Sequence, residues 1–258
     1  MAFLQVNVYS NVLEMEVMLN VILPQQTKKR LGTNTKGATE DIAVLYLLHG
    51  MQGNHSVWAR RTSIERYVSG MEMAVIMPST DLGWYTDTTY DMNYWTFISE
   101  ELPVICHELF PQLTTKREKT FAAGLSMGGY GAMKLGLRHP ERFAAVASLS
   151  GALALAESVD NLLEIRGKVY WEGIFGPLDE IKGSENDLIY LISQQKIKTA
   201  PRFFITCGTE DALYPANTYA MKKMQEQGLM VTFEDGPGEH DWAFWDQWIQ
   251  RVLAWINE

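Results

Sequence analysis

Cysteine is scarce in this chain: Cys106 and Cys207 are the only two in 258 residues. Two thiols cannot make a disulfide framework, and both lie in apolar stretches, so both are expected to be reduced core residues. Positive charge is short as well. Lys and Arg total 22 against 31 Asp and Glu, a net charge of −9. Nucleic acids and anionic lipid surfaces need compensating cations and are therefore poor candidates as partners. The small basic cluster Lys28-Lys29-Arg30 lies in a Gly/Thr-rich connection and reads as a solvated loop. No segment approaches the roughly 20 apolar residues of a membrane span. The N-terminus has no cationic region followed by an apolar core and a small-residue cleavage site, so a cytoplasmic protein is expected. No His/Cys spacing suggests a metal and no Gly-rich loop matches a nucleotide fingerprint, so neither a metal nor a cofactor is expected. Repeats and low-complexity segments are missing too.

What is present is enough apolar material, 47% of the residues, for a substantial interior. At this length a single domain, 1–258, is the natural reading. Leu13, Met15, Val17, Leu19 and Val21 alternate with Glu14, Glu16 and other residues up to Leu23, the pattern of a strand with one polar face, paired antiparallel with residues 3–9 at a sheet edge. A polar connection, 24–41, contains Gly32 and Gly37. From Ile42 onward strands and helices alternate, which predicts an α/β fold whose mostly parallel sheet is covered on both faces. Strands are expected at 42–48, 73–77, 119–124, 143–149, 202–207 and 229–234, and helices at 56–69, 94–109, 127–138, 215–227 and 241–256. Residues 152–200 break the alternation and are expected to form a cap over the site or a subunit contact. A capping box at Ser184-Glu185-Asn186-Asp187 would start a short helix there, running through Leu191 and Ile192.

The most informative motif is Gly124-Leu125-Ser126-Met127-Gly128, set behind the apolar run Lys119-Thr120-Phe121-Ala122-Ala123 and ahead of a helical segment. A strand that turns sharply into a helix while presenting one side chain needs residues without bulk on either side. This reads as a nucleophile elbow with Ser126 exposed at the top of a sheet. Gly128, Gly129, Gly131 and Gly136 would each weaken an isolated helix by roughly 1 kcal/mol relative to Ala. Close packing or the elbow must account for them. Such a hydrolase carries an acid and then a histidine after its serine. Of the two later histidines, His139 precedes Pro140 in a last helical turn and reads as a helix-dipole partner. His240 follows a strand-like run and the turn Asp235-Gly236-Pro237-Gly238, at the same sheet end as the serine. The acid is read as Asp211, behind the buried-strand run Arg202 to Cys207, with Glu210, Asp235 and Asp241 as rivals. Two backbone N–H groups must meet the oxyanion: one from Met127, the other from the loop His49-Gly50-Met51-Gln52-Gly53-Asn54, where Gly50 and Gly53 let the chain bend. His49 precedes the serine and is read as structural.

Leu47-Leu48-His49-Gly50-Met51, Gly83-Trp84-Tyr85-Thr86-Asp87, Glu100-Glu101-Leu102-Pro103, Gly124-Leu125-Ser126-Met127-Gly128-Gly129, Cys207-Gly208-Thr209-Glu210-Asp211 and His240-Asp241-Trp242 together resemble the esterase D group of α/β-hydrolases. Within it, the chain is most similar to the intracellular tributyrin esterases of lactic acid bacteria and streptococci. The resemblance spans nearly the whole chain. It implies an α/β-hydrolase fold with a sheet of about eight strands and hydrolysis of short-acyl carboxylic esters, such as tributyrin or acetylated carbohydrate. Ser126, His240 and Asp211 match the group's triad, and Met51 and Met127 its oxyanion donors. The group also contains S-formylglutathione hydrolases, feruloyl and acetylxylan esterases and mycolyltransferases. The first of these usually carry a cysteine in the oxyanion loop, where this chain reads Met51-Gln52-Gly53-Asn54, and the feruloyl and mycolyl relatives are commonly exported. Self-association is expected by the same analogy. A catalytically inactive interaction module is the non-enzyme alternative.

The remaining expectations concern substrate contact. Gly50 belongs to the oxyanion loop. Trp84 and Tyr85 lie on the catalytic side of the sheet and are read as pocket walls, with loop anchoring as the alternative. Trp242, Phe244, Trp245 and Trp248 fall at helical spacing and should be mostly core, with Trp242 a candidate substrate contact.

Overall fold

A computed structural model describes residues 1–27, 36–157 and 159–258. The Lys28-Lys29-Arg30 cluster and Gly32 lie outside the described residues. The chain opens with a hairpin, β1 (Ala2–Ser10) and β2 (Met15–Leu23), paired antiparallel with Ala2 opposite Leu23. The second strand starts at Met15 rather than Leu13. Asn11 to Glu14 make the turn, Glu14 sits at φ 52°, and the Glu101 carboxylate accepts the N–H groups of Asn11 (2.7 Å) and Val12 (3.3 Å).

The remaining strands are β3 (Ala43–Leu48), β4 (Met73–Pro78), β5 (Thr120–Leu125), β6 (Ala145–Leu149), β7 (Arg202–Gly208) and β8 (Val231–Gly236). They complete an eight-stranded sheet of order β1-β2-β4-β3-β5-β6-β7-β8, parallel from β4 to β8. Successive residues of the central strands feed two separate cores. Val44, Tyr46, Leu48, Phe203 and Ile205 pack on one face, and Leu45, Leu47, Phe121, Ala123 and Phe204 on the other. Continuous apolar runs buried on both sides are what a parallel sheet between helical layers requires.

The helices are α1 (Val57–Arg61), α2 (Ile64–Val68), α3 (Tyr94–Thr96), α4 (Leu102–Leu109), α5 (Met127–Arg138), α6 (Val159–Ile165), α7 (Lys168–Phe175), α8 (Leu188–Ser193), α9 (Tyr214–Glu226) and α10 (Trp242–Ile256). Two expected helices are interrupted. Between α1 and α2, Thr62 is extended; its hydroxyl donates to Trp58 O (2.6 Å) and accepts Ile64 N–H (3.1 Å), taking over local backbone bonding. Between α3 and α4 the helix widens to a π turn over Phe97–Glu101. Pro103 has no N–H for Ser99 O, four residues back, and that carbonyl instead accepts from Arg142.

Among the described residues, 152–200 hold α6, α7, α8 and two single turns, Leu155–Glu157 and Leu178–Glu180. The helix expected from Ser184 starts later. Asp187 is its N-cap, accepting from Ile189 and Tyr190 N–H, while the Ser184 hydroxyl donates to Ile181 O.

Candidate active site

Ser126 lies between β5 and α5 with φ 53° and ψ −118°, a conformation an L side chain rarely holds. Its backbone is locked: Ser126 N–H donates to Leu149 O (2.9 Å), and Ser126 O accepts from Tyr130 N–H (3.0 Å). The flanking glycines are forced by contact. A Cβ on Gly124 would meet Gly128 O at 2.2 Å, and one on Gly128 would meet Leu48 O at 2.4 Å. Gly129, Gly131 and Gly136 are likewise filled against Ser148, Tyr85 and Val146, so close packing and the elbow together explain this glycine-rich helix.

His240 Nε2 is 3.0 Å from Ser126 Oγ, and His240 Nδ1 is 2.8 Å from Asp211 Oδ2. Asp211 is held by the turn after β7, where its Oδ1 accepts Leu213 N–H at 2.8 Å. Burial pushes this carboxyl up, but the hydrogen bonds of His240, Leu213 N–H and Ser150 outweigh it and leave the group below its usual range. The other acids are engaged elsewhere. Glu210 accepts Gly238 N–H (2.6 Å) and so clamps the loop that carries the histidine. Asp235 accepts from Tyr214, and Asp241 caps α10 by accepting Phe244 N–H (2.9 Å). Trp245 was expected in the core. It also packs edge-on to the His240 ring, with centroids 4.9 Å apart, and its Nε1–H donates to Ser150 Oγ (3.1 Å). Glu210, read from the sequence only as a rival acid, and Ser150, which carried no sequence signal, both support the site through partners distant in the chain, Gly238 and Trp245.

His49 is buried, and burial lowers its pKa to about 4, leaving the ring neutral. Nε2 accepts Thr80 N–H (3.1 Å), which puts the proton on Nδ1, where it is donated to Gly50 O (2.8 Å). The loop beyond turns tightly, with Gly53 N–H bonded to Gly50 O (3.0 Å) and Gln52 at φ 64°. Gly50 lies directly against the serine, since a Cβ there would be 3.3 Å from Ser126 Cβ. The N–H of Met127 opens α5 and has no intrahelical acceptor. His139 departs from its expected dipole role. Burial lowers its pKa, and the ring stacks on Trp95 at 5.6 Å.

A cavity of about 1040 Å³ opens over Ser126 and His240. Gly50, Met51, Trp84 and Trp242 line it, together with Leu155, Leu162 and Ile165 from the 152–200 segment and Pro215 and Tyr219 from α9. Tyr85 does not reach the cavity, contrary to expectation. Its ring is fully buried against Gly131, and its hydroxyl donates to His49 O (2.8 Å), so it anchors a loop. Among the described residues no cluster of three His, Cys, Asp or Glu is placed to hold a metal, and no helix is long and apolar enough to cross a membrane.

A mostly parallel sheet with a serine at a strand-to-helix elbow, bonded to a histidine and through it to an aspartate, defines an α/β-hydrolase of the serine hydrolase kind. The chain belongs to the Esterase family, whose sequence model matches residues 10–256, and it is a carboxylic ester hydrolase. It is 31% identical to the acetyl esterase of Caldicellulosiruptor saccharolyticus over 266 residues, covering 100% of this chain and 99% of that one. Among solved structures it is similar to the substrate-bound fluorophosphonate-binding serine hydrolase FphF of Staphylococcus aureus (34% identity, TM-score 0.88, 100% and 98% of the two chains). It is also similar to the S-formylglutathione hydrolase FrmB of the same organism (34% identity, TM-score 0.84, 100% and 99% covered).

Proposed function

We propose that the protein is a serine carboxylesterase acting on short-acyl esters, acetyl to about butyryl or hexanoyl, through an acyl-enzyme on Ser126. The observation that carries this reading is the unbroken line Ser126 Oγ, His240 Nε2, His240 Nδ1, Asp211 Oδ2, with links of 3.0 and 2.8 Å. His240 takes the Ser126 proton, the oxygen attacks the ester carbonyl, and the N–H groups of Met51 and Met127 hold the developing oxyanion. Asp211 keeps the imidazole in the required tautomer and stabilises its charged form. The alcohol leaves with the proton, and water repeats the sequence to release the acid.

The acetyl esterase relative supports the short acyl group. The cavity is larger than an acetyl or butyryl ester needs, which leaves its volume to the alcohol part, a glyceride or an acetylated sugar. In this reading the chain is one hydrolase domain in which residues 152–200 cap the cavity, and Trp84 and Trp242 contact substrate. A cytoplasmic location accords with two buried, unpaired thiols.

Specificity constants for p-nitrophenyl acetate, butyrate, hexanoate and octanoate, with Ser126→Ala as the blank, test the proposal. The expected profile peaks at acetate or butyrate and drops by several orders of magnitude in the folded Ser126→Ala variant. Activity surviving that substitution would overturn the nucleophile. Thioester hydrolysis is the second reading, favoured by the likeness to the S-formylglutathione hydrolase. A higher specificity constant for S-formylglutathione than for any simple ester would establish it instead.

A further inference from the structure

One charged group of the core has no place in the mechanism above. Lys134 lies on α5, two turns behind the nucleophile, and is only 1% exposed. Its ammonium donates to Tyr85 O (3.0 Å), Thr86 Oγ1 (3.1 Å) and Asn186 Oδ1 (2.7 Å), and it faces the ring of Trp95 at 4.7 Å. No carboxylate is among these partners. Burial, and after it the charge of Arg138, pull its pKa well down. A buried ammonium is costly, and an apolar side chain would fill the space more simply.

The segment it holds is itself strained. Trp84 and Tyr85 are consecutive aromatic residues at φ 51° and 50°, a region few non-glycine residues enter and one that persists only where surroundings over-determine it. Helix α5 is shaped to receive them. Gly131 leaves room for the Tyr85 ring, and one turn on Lys134 grips the Tyr85 carbonyl. From the same residue the Tyr85 hydroxyl donates to His49 O (2.8 Å), directly ahead of Gly50 and Met51. Asn186 extends the grip to the 152–200 segment, where its carbonyl accepts from the Tyr130 hydroxyl (2.9 Å).

We propose that Lys134 is a positioning residue for ester hydrolysis: it pins the strained Trp84-Tyr85 turn and, through the Tyr85 hydroxyl, fixes the loop that presents Met51 N–H to the oxyanion. This rests on the serine esterase reading above. An oxyanion donor displaced by a fraction of an ångström binds the transition state worse while binding the ester about equally well, so the loss belongs in kcat.

The test compares wild type, Lys134→Met, Tyr85→Phe and the double variant. Turnover of p-nitrophenyl butyrate is expressed per serine labelled by a fluorophosphonate, alongside thermal melts and the pH dependence of kcat. Each single variant should lose about tenfold or more in kcat with KM within about threefold. The rising limb of the pH profile should stay in place, because His240 and Asp211 are untouched. The double variant should be no worse than the poorer single by more than about twofold, as two links of one chain require. Wild-type kcat per labelled serine in Lys134→Met, or losses that multiply, would overturn the proposal. A merely structural lysine would lower the melting temperature and leave turnover per labelled serine unchanged. Should Lys134→Met not fold, Tyr85→Phe decides: a tenfold loss at an unchanged melting temperature sustains the route and wild-type kcat ends it. If wild-type Ser126 takes no label, the esterase reading has failed and not this one.

Discussion

At the scale of single residues the proposed mechanism depends on protonation states fixed before substrate arrives. Asp211 is held charged by three hydrogen-bond partners, and its carboxylate fixes the proton on His240 Nδ1 so that Nε2 faces the serine. Asp211→Asn keeps the shape and offers the wrong tautomer, so kcat should fall by about 10⁴ with a small change in KM, read from steady-state hydrolysis of p-nitrophenyl butyrate. His49 is the opposite case, a histidine kept neutral by burial, with its pKa lowered to about 4. Its folded pKa lies below the unfolded value of about 6.5, so its stabilising contribution is complete above that value. It is lost as the pH falls through the interval down to about 4. An NMR titration should show the His49 ring silent from pH 8 to 5, and titration near 6.5 in the native state would contradict the buried placement. Residue types and their order in the chain made Ser126, His240 and Asp211 legible. The division of labour between Trp84, which lines the cavity, and Tyr85, which anchors a loop, was not legible, because it depends on two left-handed φ values that no side-chain pattern encodes.

At the scale of elements, strands β3 to β7 were readable because they are buried on both faces and carry nearly unbroken apolar runs, and the β1–β2 hairpin because its residues alternate. The helices were readable only where nothing local competed with them. Thr62 and Pro103 each interrupt a well-patterned helix by backbone chemistry, and the sequence shows those residues without showing which bonds they divert. Capping misled in the same way: Ser184 and Asp187 are both competent caps, and the register of α8 selects the second. The glycines of α5 were readable as a conflict with helix propensity, and the contacts resolve it. Gly128→Ala should gain about 1 kcal/mol in helix propensity. It would drive a Cβ to 2.4 Å from Leu48 O and 2.6 Å from His49 O, both backbone atoms. Overpacking of that kind costs about 1–3 kcal/mol or more, so the variant should melt at lower denaturant than wild type and lose activity as the His49-Gly50 loop shifts. Equilibrium urea unfolding read beside esterase activity checks both.

At the scale of the molecule, both thiols are buried, Cys106 in the core on one face of the sheet and Cys207 on β7 within the sheet itself. Burial raises the Cys106 and Cys207 pKa values to about 12. Neither should form thiolate at neutral pH, and the native protein should be inert to Ellman's reagent at pH 8, releasing two equivalents of colour only when unfolded. The sheet order also has a consequence in time. In the proposed mechanism the nucleophile arrives on β5, at the middle of the sheet, while its base follows β8 at the edge, 114 residues further along the chain. Ribosomes add about 5–20 residues per second, so a growing chain carries its serine elbow for on the order of ten seconds before any group exists to activate it. Esterase activity therefore switches on only when the far edge of the sheet has been laid down, and a fluorogenic ester present during cell-free synthesis would mark the completion of folding rather than its start.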